Sequence, residues 1–172
     1  MAASVALVRP ALELEEAYLA FYQEWMDSGE DVVPWVVGID PTDFQGMVQT
    51  LLANEKGERL NEGWVPDSTF WLVAEDEQIV GAVNIRHRLT EKLRNSGGHI
   101  GYGIRPSERG KGYATKLLAL ALEEARLLGI HKALVVCNES NIASERTIIR
   151  NGGVQDTSFV EENGNVIKRY WI

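Results

Sequence analysis

Cysteine occurs once in the 172 residues, at Cys137. A lone thiol makes no intramolecular disulfide and no cysteine-rich zinc site. Histidine is scarce too, at three residues, and His87, His99 and Cys137 lack any short ligand spacing, so no metal centre is expected. No apolar run approaches the length of about 20 residues that a membrane span needs, and Met1-Ala2-Ala3-Ser4 lacks the basic-then-apolar order of a signal peptide. The expectation is a soluble, cytoplasmic protein. Basic residues are outnumbered, 17 Lys and Arg against 25 Asp and Glu, for a net charge of −8. Such a surface repels nucleic acid and anionic membranes and attracts cationic small molecules. Disorder is excluded as well, because 45% of the residues are apolar and only 24% charged. One domain over residues 1–172 is expected, without linkers, repeats or low-complexity tracts.

The hydropathy pattern changes period along the chain. Val5–Val8 is a short β-like run closed by Pro10. Leu14, Tyr18, Phe21, Tyr22 and Trp25 recur at helical spacing. Phe44, Met47, Val48, Leu51 and Leu52 do the same after Asp40-Pro41, which reads as cap and first-turn proline. Lys56–Pro66 is a polar loop. Thr69–Glu75 and Gln78–Arg86 form a β-hairpin about Asp76-Glu77, and Leu89–Ser96 reads as a mobile loop. His99–Arg105 is a strand whose Gly101 and Gly103 suggest a bulge or a close approach to the backbone. A helix follows, with Ala114, Leu117, Leu118, Ala121, Ala125 and Leu128 on its buried stripe and Gly129 at its end. Lys132–Cys137 is an apolar strand. Asn141 caps a further helix that stops at Asn151-Gly152-Gly153, and a hairpin about Glu162–Asn165 ends the chain. The order β-α-α-β-β-β-α-β-α-β-β fits an α+β fold, a mixed α/β sandwich around one sheet.

The most informative stretch runs from Gly101 to Leu118. A strand ends at Ile104-Arg105-Pro106, the turn Arg109-Gly110-Lys111-Gly112 follows, and a helix begins. Helix starts carry unpaired N–H groups and the positive end of the macrodipole, and glycines let a ligand approach the backbone. With Arg105, Arg109 and Lys111 beside it, the turn describes a phosphate or pyrophosphate site. It is not a Walker loop, since Lys111 precedes Gly112 rather than Ser or Thr, and Pro106 stands where a dinucleotide fingerprint needs its third glycine.

Arg109-Gly110-Lys111-Gly112-Tyr113-Ala114 matches the (Gln/Arg)-x-x-Gly-x-(Gly/Ala) motif of the GNAT N-acetyltransferases. Ile104-Arg105-Pro106, Asn141-Ile142-Ala143-Ser144, Gly152 and Arg169-Tyr170-Trp171-Ile172 resemble that family's neighbouring elements, so the chain resembles a GNAT acetyltransferase over essentially its whole length, and an uncharacterised bacterial branch in particular. The resemblance implies a central mixed, mostly antiparallel sheet with helices on both faces. It also implies acetyl-CoA as acetyl donor, transfer to a primary amine on a small molecule or peptide, and, as in many relatives, a homodimer. Carried over, the cofactor residues are Ile104, Arg105, Arg109, Gly110, Lys111, Gly112, Tyr113, Ala114, Thr115, Asn141 and Ser144. The strands at His99–Ile104 and Lys132–Cys137 are expected to splay to admit the thioester.

Two positions depart from the family. Ile148 stands where relatives often place an acidic tyrosine, and Gly97–Ile104 holds no carboxylate to serve as base. His99 and Tyr102 are the catalytic candidates that remain, although alternation puts them on opposite faces; His99 is otherwise a hydrogen-bonded structural histidine. Arg86-His87-Arg88, Trp35 and Trp64 are candidates for the acceptor side. Cys137 reads as buried structure, since direct transfer needs no covalent enzyme intermediate. The same residues admit a second reading, a CoA-binding sensor or interaction module without turnover, and a third, a structural domain without ligand.

Overall fold

The computed structural model describes residues 4–172; the reading of Met1–Ala3 falls outside them. Seven strands and four helices follow the expected order: β1 (Val5–Val8), α1 (Glu15–Ser28), α2 (Phe44–Glu55), β2 (Asp67–Ala74), β3 (Ile79–Arg86), β4 (Ile100–Ile104), α3 (Tyr113–Leu127), β5 (Leu134–Asn138), α4 (Ile142–Arg150), β6 (Val154–Val160) and β7 (Val166–Trp171). The strands make two sheets rather than the one expected. One has the order β1-β2-β3-β4 and the other β5-β7-β6, and every ladder is antiparallel.

Alternation along β2 feeds two cores. Trp71 turns to α1 and α2, where it meets Tyr18, Phe21, Phe44, Met47 and Leu51, and its ring stacks on Tyr18 with centroids 4.5 Å apart. Phe70 and Leu72 turn the other way, to Leu117, Leu118, Ala121 and Ala125 of α3. That second core continues through Val135, Cys137, Ile148 and Tyr170, so α3 bridges both sheets. A slip in the β2–β3 register makes Val80 an extra residue. Val80, Val83 and Ile85 thereby face α3 while Ile79 and Ala82 face α1 and α2.

Three local readings change. The cap of α2 is Asp43, whose carboxylate accepts the Gly46 N–H at 3.0 Å; Asp40 instead closes a turn on Thr42. The stretch expected as a mobile loop is a wide helical turn, Leu93–Gly97, tied by the Gly98 N–H to the Leu93 carbonyl. What approaches the glycines of β4 is the chain itself. A Cβ on Gly103 would overlap the Val33 carbonyl oxygen, and one on Gly101 would lie 3.2 Å from the Arg86 guanidinium.

The two sheets meet at one point. The His99 N–H donates to the Leu134 carbonyl at 2.7 Å, and the Leu134 N–H donates back to His99 Nδ1 at 2.9 Å. Past this joint β4 and β5 part, as expected for a pair that splays. His99 is 7% exposed, and burial, with Arg94 and Arg86 nearby, pushes its pKa down to about 4 from 6.5. The unfolded chain therefore binds this proton first. The contribution of His99 to stability is complete above about pH 6.5 and is lost as pH falls towards 4, by at most about 3 kcal/mol. Urea unfolding of the parent and of His99→Gln across this window checks it: the parent should lose stability more steeply. Parallel profiles would show that His99 carries no such linkage.

Candidate active site

The gap between β4 and β5 opens into a cleft of about 840 Å³. Its floor is Ile100–Ile104 on one side and Val136–Asn138 on the other; α1, the Glu30–Trp35 segment, the start of α3 and one face of α4 form its walls. Beyond the joint, β4 has a ladder partner only in β3. Its other edge therefore offers backbone donors and acceptors to whatever enters.

The glycine turn forms one end. Gly110 (φ 76°) and Gly112 (φ 87°) take left-handed conformations in which side chains are strained. Gly112 is the N-cap of α3 and supplies no capping side chain. The first backbone bond at this helix start is from the Lys116 N–H to the Gly112 carbonyl. The amides ahead of it are free for a ligand, and Gly110, Gly112, Tyr113, Ala114 and Thr115 line the cleft.

The cations expected beside the turn are differently disposed. Arg105 does not line the cleft; it pairs with Glu24 at 2.9 Å, and Glu24 also accepts the Ser107 N–H, tying α1 to the turn. Lys111 reaches out to Glu108 at 2.9 Å and also lies outside the cleft. Arg109 lines it, but its guanidinium pairs with Glu30 at 2.7 Å, covers the Trp25 ring and donates to the Ile104 carbonyl. That pairing holds the Glu30 carboxyl below its usual pKa. The anion site is thus chiefly backbone.

Two cations that the sequence reading passed over do face the cleft. Arg146 and Arg150 project from α4 and make no ion pair among the described residues. The signal was present: Ala143, Arg146, Thr147 and Arg150 recur at i, i+3, i+4 and i+7 on one helix face. Asn141 caps α4 through its side chain to the Ser144 N–H at 3.1 Å, and both residues line the cleft.

The two catalytic candidates are separated. Tyr102 lies in the cleft with its hydroxyl 2.8 Å from Ser144 Oγ. Burial pushes the phenol up to about 12, so it keeps its proton at neutral pH. His99 does not line the cleft; its Nδ1 is occupied by Leu134, and its low pKa comes from burial and two arginines. Ile148 is fully buried in the α3 core. Cys137 borders the cleft, and burial raises its thiol to about 11, which leaves it protonated and a poor nucleophile.

At the other end lie Trp35, Asp31 and Arg86, with Trp35 edge-on to Trp64 at 4.8 Å. Trp64 itself does not line the cleft, and neither do His87 and Arg88. Arg86 donates to the Gly97 carbonyl and packs over Gly101; burial lowers its pKa, opposed by Asp67. The indole N–H of Trp25, 3% exposed, has no partner.

The family profile described as "Acetyltransferase (GNAT) domain" matches residues 6–154. No curated protein matches the sequence. Solved structures share the fold at low identity. The microcin self-immunity acetyltransferase MccE, solved with acetyl-CoA and AMP, superposes with a TM-score of 0.68 at 18% identity, covering 98% of this chain and 91% of that one. An acetyl transferase from Salmonella typhimurium that modifies the N-terminal serine of a 50S ribosomal subunit protein gives 0.67 at 14%, over 98% and 94%. A variant of the spermidine N-acetyltransferase SpeG from Vibrio cholerae gives 0.62 at 16%, over 98% and 94%.

Proposed function

The chain belongs to the GNAT acetyltransferase family, and from that premise we propose that residues 1–172 are one acetyltransferase domain that moves an acetyl group from acetyl-CoA to a primary amine by direct attack. The observation that carries this reading is the uncapped start of α3, whose free amides face a cleft lying between two diverging strands. Acetyl-CoA supplies an activated thioester carbonyl. The amides of Gly110 to Thr115 hold pyrophosphate oxygens, and the open edge of β4 takes the amide-bearing arm. Arg146 and Arg150 bring further positive charge for phosphate. Of the residues carried over from the family, Arg105 and Lys111 act on the turn through Glu24 and Glu108 rather than on the ligand.

Tyr102 is the polar group placed to act on the reacting atoms. A phenol held near 12 loses its proton to a thiolate of ordinary basicity, about 8.5, only against a gradient of about 5 kcal/mol. Its part is therefore to donate a hydrogen bond while remaining protonated. Asp31, which lines the cleft and makes no ion pair among the described residues, on a chain of net charge −8, favours a cationic acceptor. Neighbours that act on spermidine or on a ribosomal protein belong to the same broad class of amine acceptors. A lone, buried, unpaired cysteine suits the cytoplasm.

A second reading, a CoA-binding module without turnover, draws on Ile148 and on the withdrawal of His99 from the cleft. The test has two arms, the unfolding temperature with acetyl-CoA and release of free CoA thiol across an amine panel. Ligand at about a hundred times Kd should raise stability by roughly 2.7 kcal/mol, about 5–10 °C for a domain of this size. Thiol release with any amine supports transfer. A shift without release supports the module, and no shift refutes both.

Three substitutions sharpen the assignment. A Cβ at Gly112 meets open space, so Gly112→Val should fold, costing roughly 1–2 kcal/mol for its left-handed backbone, while acetyl-CoA affinity falls at least tenfold; unchanged affinity would remove the turn from the site. Glu30→Gln frees Arg109 from an exposed, solvent-screened ion pair. The dissociation constant for acetyl-CoA should therefore drop up to about fivefold, and a rise would show that Glu30 itself supports the cofactor. Tyr102→Phe removes a donor of roughly 1.5–3 kcal/mol, so kcat should fall about 10- to 100-fold with little change in KM for acetyl-CoA. An unchanged kcat would exclude Tyr102 from the reaction.

A further inference from the structure

A second cavity, of about 380 Å³, shares no lining residue with the cleft. It lies where the end of β3, the start of β4 and the α3–β5 connection meet. Its lining includes all three histidines of the chain, His87, His99 and His131, together with Arg88, Arg94 and Lys132, and no carboxylate. On a chain of net charge −8 this is a local reversal of sign. None of the three cations makes an ion pair among the described residues. Two carboxylates close to this wall in the fold are held by other groups. Asp156 holds Trp171 Nε1 and Arg169, and Asp67 is buried against Asn84. Asp67 and Glu55 also act on His87.

One donor in the cavity is fixed by the fold. His99 Nδ1 accepts the Leu134 N–H, so the neutral ring carries its proton on Nε2. That N–H has no acceptor among the described residues, and the residue is 7% exposed and lines the cavity. His87 is also anchored, its Nε2 lying 2.8 Å from Ser68 Oγ. The end of α3, which would repel an anion, is closed: the Leu128, Gly129 and Ile130 N–H groups bond back to carbonyls of Glu124–Arg126. The imidazoles are not grouped as a metal-holding set among the described residues.

We infer that this cavity binds a phosphate group, as inorganic phosphate or as the phosphomonoester of a small metabolite. The His99 Nε2–H, together with the Arg88 and Arg94 guanidinium groups and the Lys132 ammonium that also line the cavity, supplies donors from several directions. A tetrahedral oxyanion uses more of them than the two oxygens of a carboxylate can. The volume exceeds that of the ion alone, and Trp171, with Lys132 Nζ 5.7 Å from its ring centre, gives a flat wall for an attached organic group.

Because every histidine of the chain lines this cavity and none lines the cleft, imidazole NMR reports on it alone, even if phosphate also reaches the glycine turn. Inorganic phosphate and glycerol phosphate are titrated separately at fixed pH and ionic strength. The expected result is a saturable shift of the His99 Nε2–H resonance. Its apparent Kd should rise at least tenfold in the exposed-residue variant Arg94→Gln/Lys132→Gln, while the acetyl-CoA unfolding shift stays as in the parent. Tighter binding of glycerol phosphate identifies a monoester site; equal or tighter binding of inorganic phosphate identifies a site for the free ion. A non-saturating response, one reproduced by chloride, or one undiminished in the double variant and in Arg88→Gln overturns the inference.

Discussion

Two hydrogen bonds between His99 and Leu134 set the geometry on which the rest of the molecule depends. They are the joint between two sheets that otherwise touch through side chains, and they are shared by a backbone and an imidazole rather than by two backbones. A ladder bond at this point would invite the next one. An imidazole acceptor ends the pairing instead, because the ring takes the place that a β4 carbonyl would occupy. Gly98 is part of the same device: a side chain there would press on the Leu134 carbonyl at 2.6 Å. β4 and β5 therefore begin together and separate, and the edge left open on β4 is the floor of the cleft. The cost is a histidine held neutral by burial.

Charge in the cleft is arranged around exposed ion pairs, which individually contribute little. Lys111 with Glu108 closes the turn on itself, and Arg109 with Glu30 ties it to the segment after α1, neither pair consuming its amides. Glu24 does more, binding the Arg105 guanidinium and both the N–H and the hydroxyl of Ser107. It fixes the strand end and the turn against α1. The positive potential that remains comes from the helix start and from Arg146 and Arg150. Such a site is strong for a phosphate at contact distance and faint a Debye length away.

Sequence periodicity conveys the elements well because each depends on near neighbours. The stripe Leu117, Leu118, Ala121, Ala125 identifies α3 and its buried face, and Gly112 and Gly129 mark its ends. Partner choice is another matter. Val33 and Gly103 lie seventy positions apart, so the glycines of β4 read as room for a ligand when they are room for the chain's own Val33–Pro34 segment. Arg105 and Lys111 look like phosphate ligands beside a glycine turn, and nothing local reveals that Glu24 and Glu108 hold them. Asp40 and Asp43 both suit the start of α2, and only the geometry separates the turn on Thr42 from the cap on Gly46. The separation of Tyr102 from His99 was legible, since alternation alone puts them on opposite faces.

The absent tyrosine at Ile148 is explained by space rather than by sequence position. Ile148 points into the core shared by α3 and the second sheet, where a phenol would need a polar partner that the apolar packing does not offer. One turn earlier, Ser144 faces the cleft, and its Oγ lies 2.8 Å from the Tyr102 hydroxyl across the gap. The phenol at the cleft thus comes from β4 rather than from α4. Beside it the Cys137 thiol is also held protonated, so this wall carries two neutral hydrogen-bonding groups and no anion.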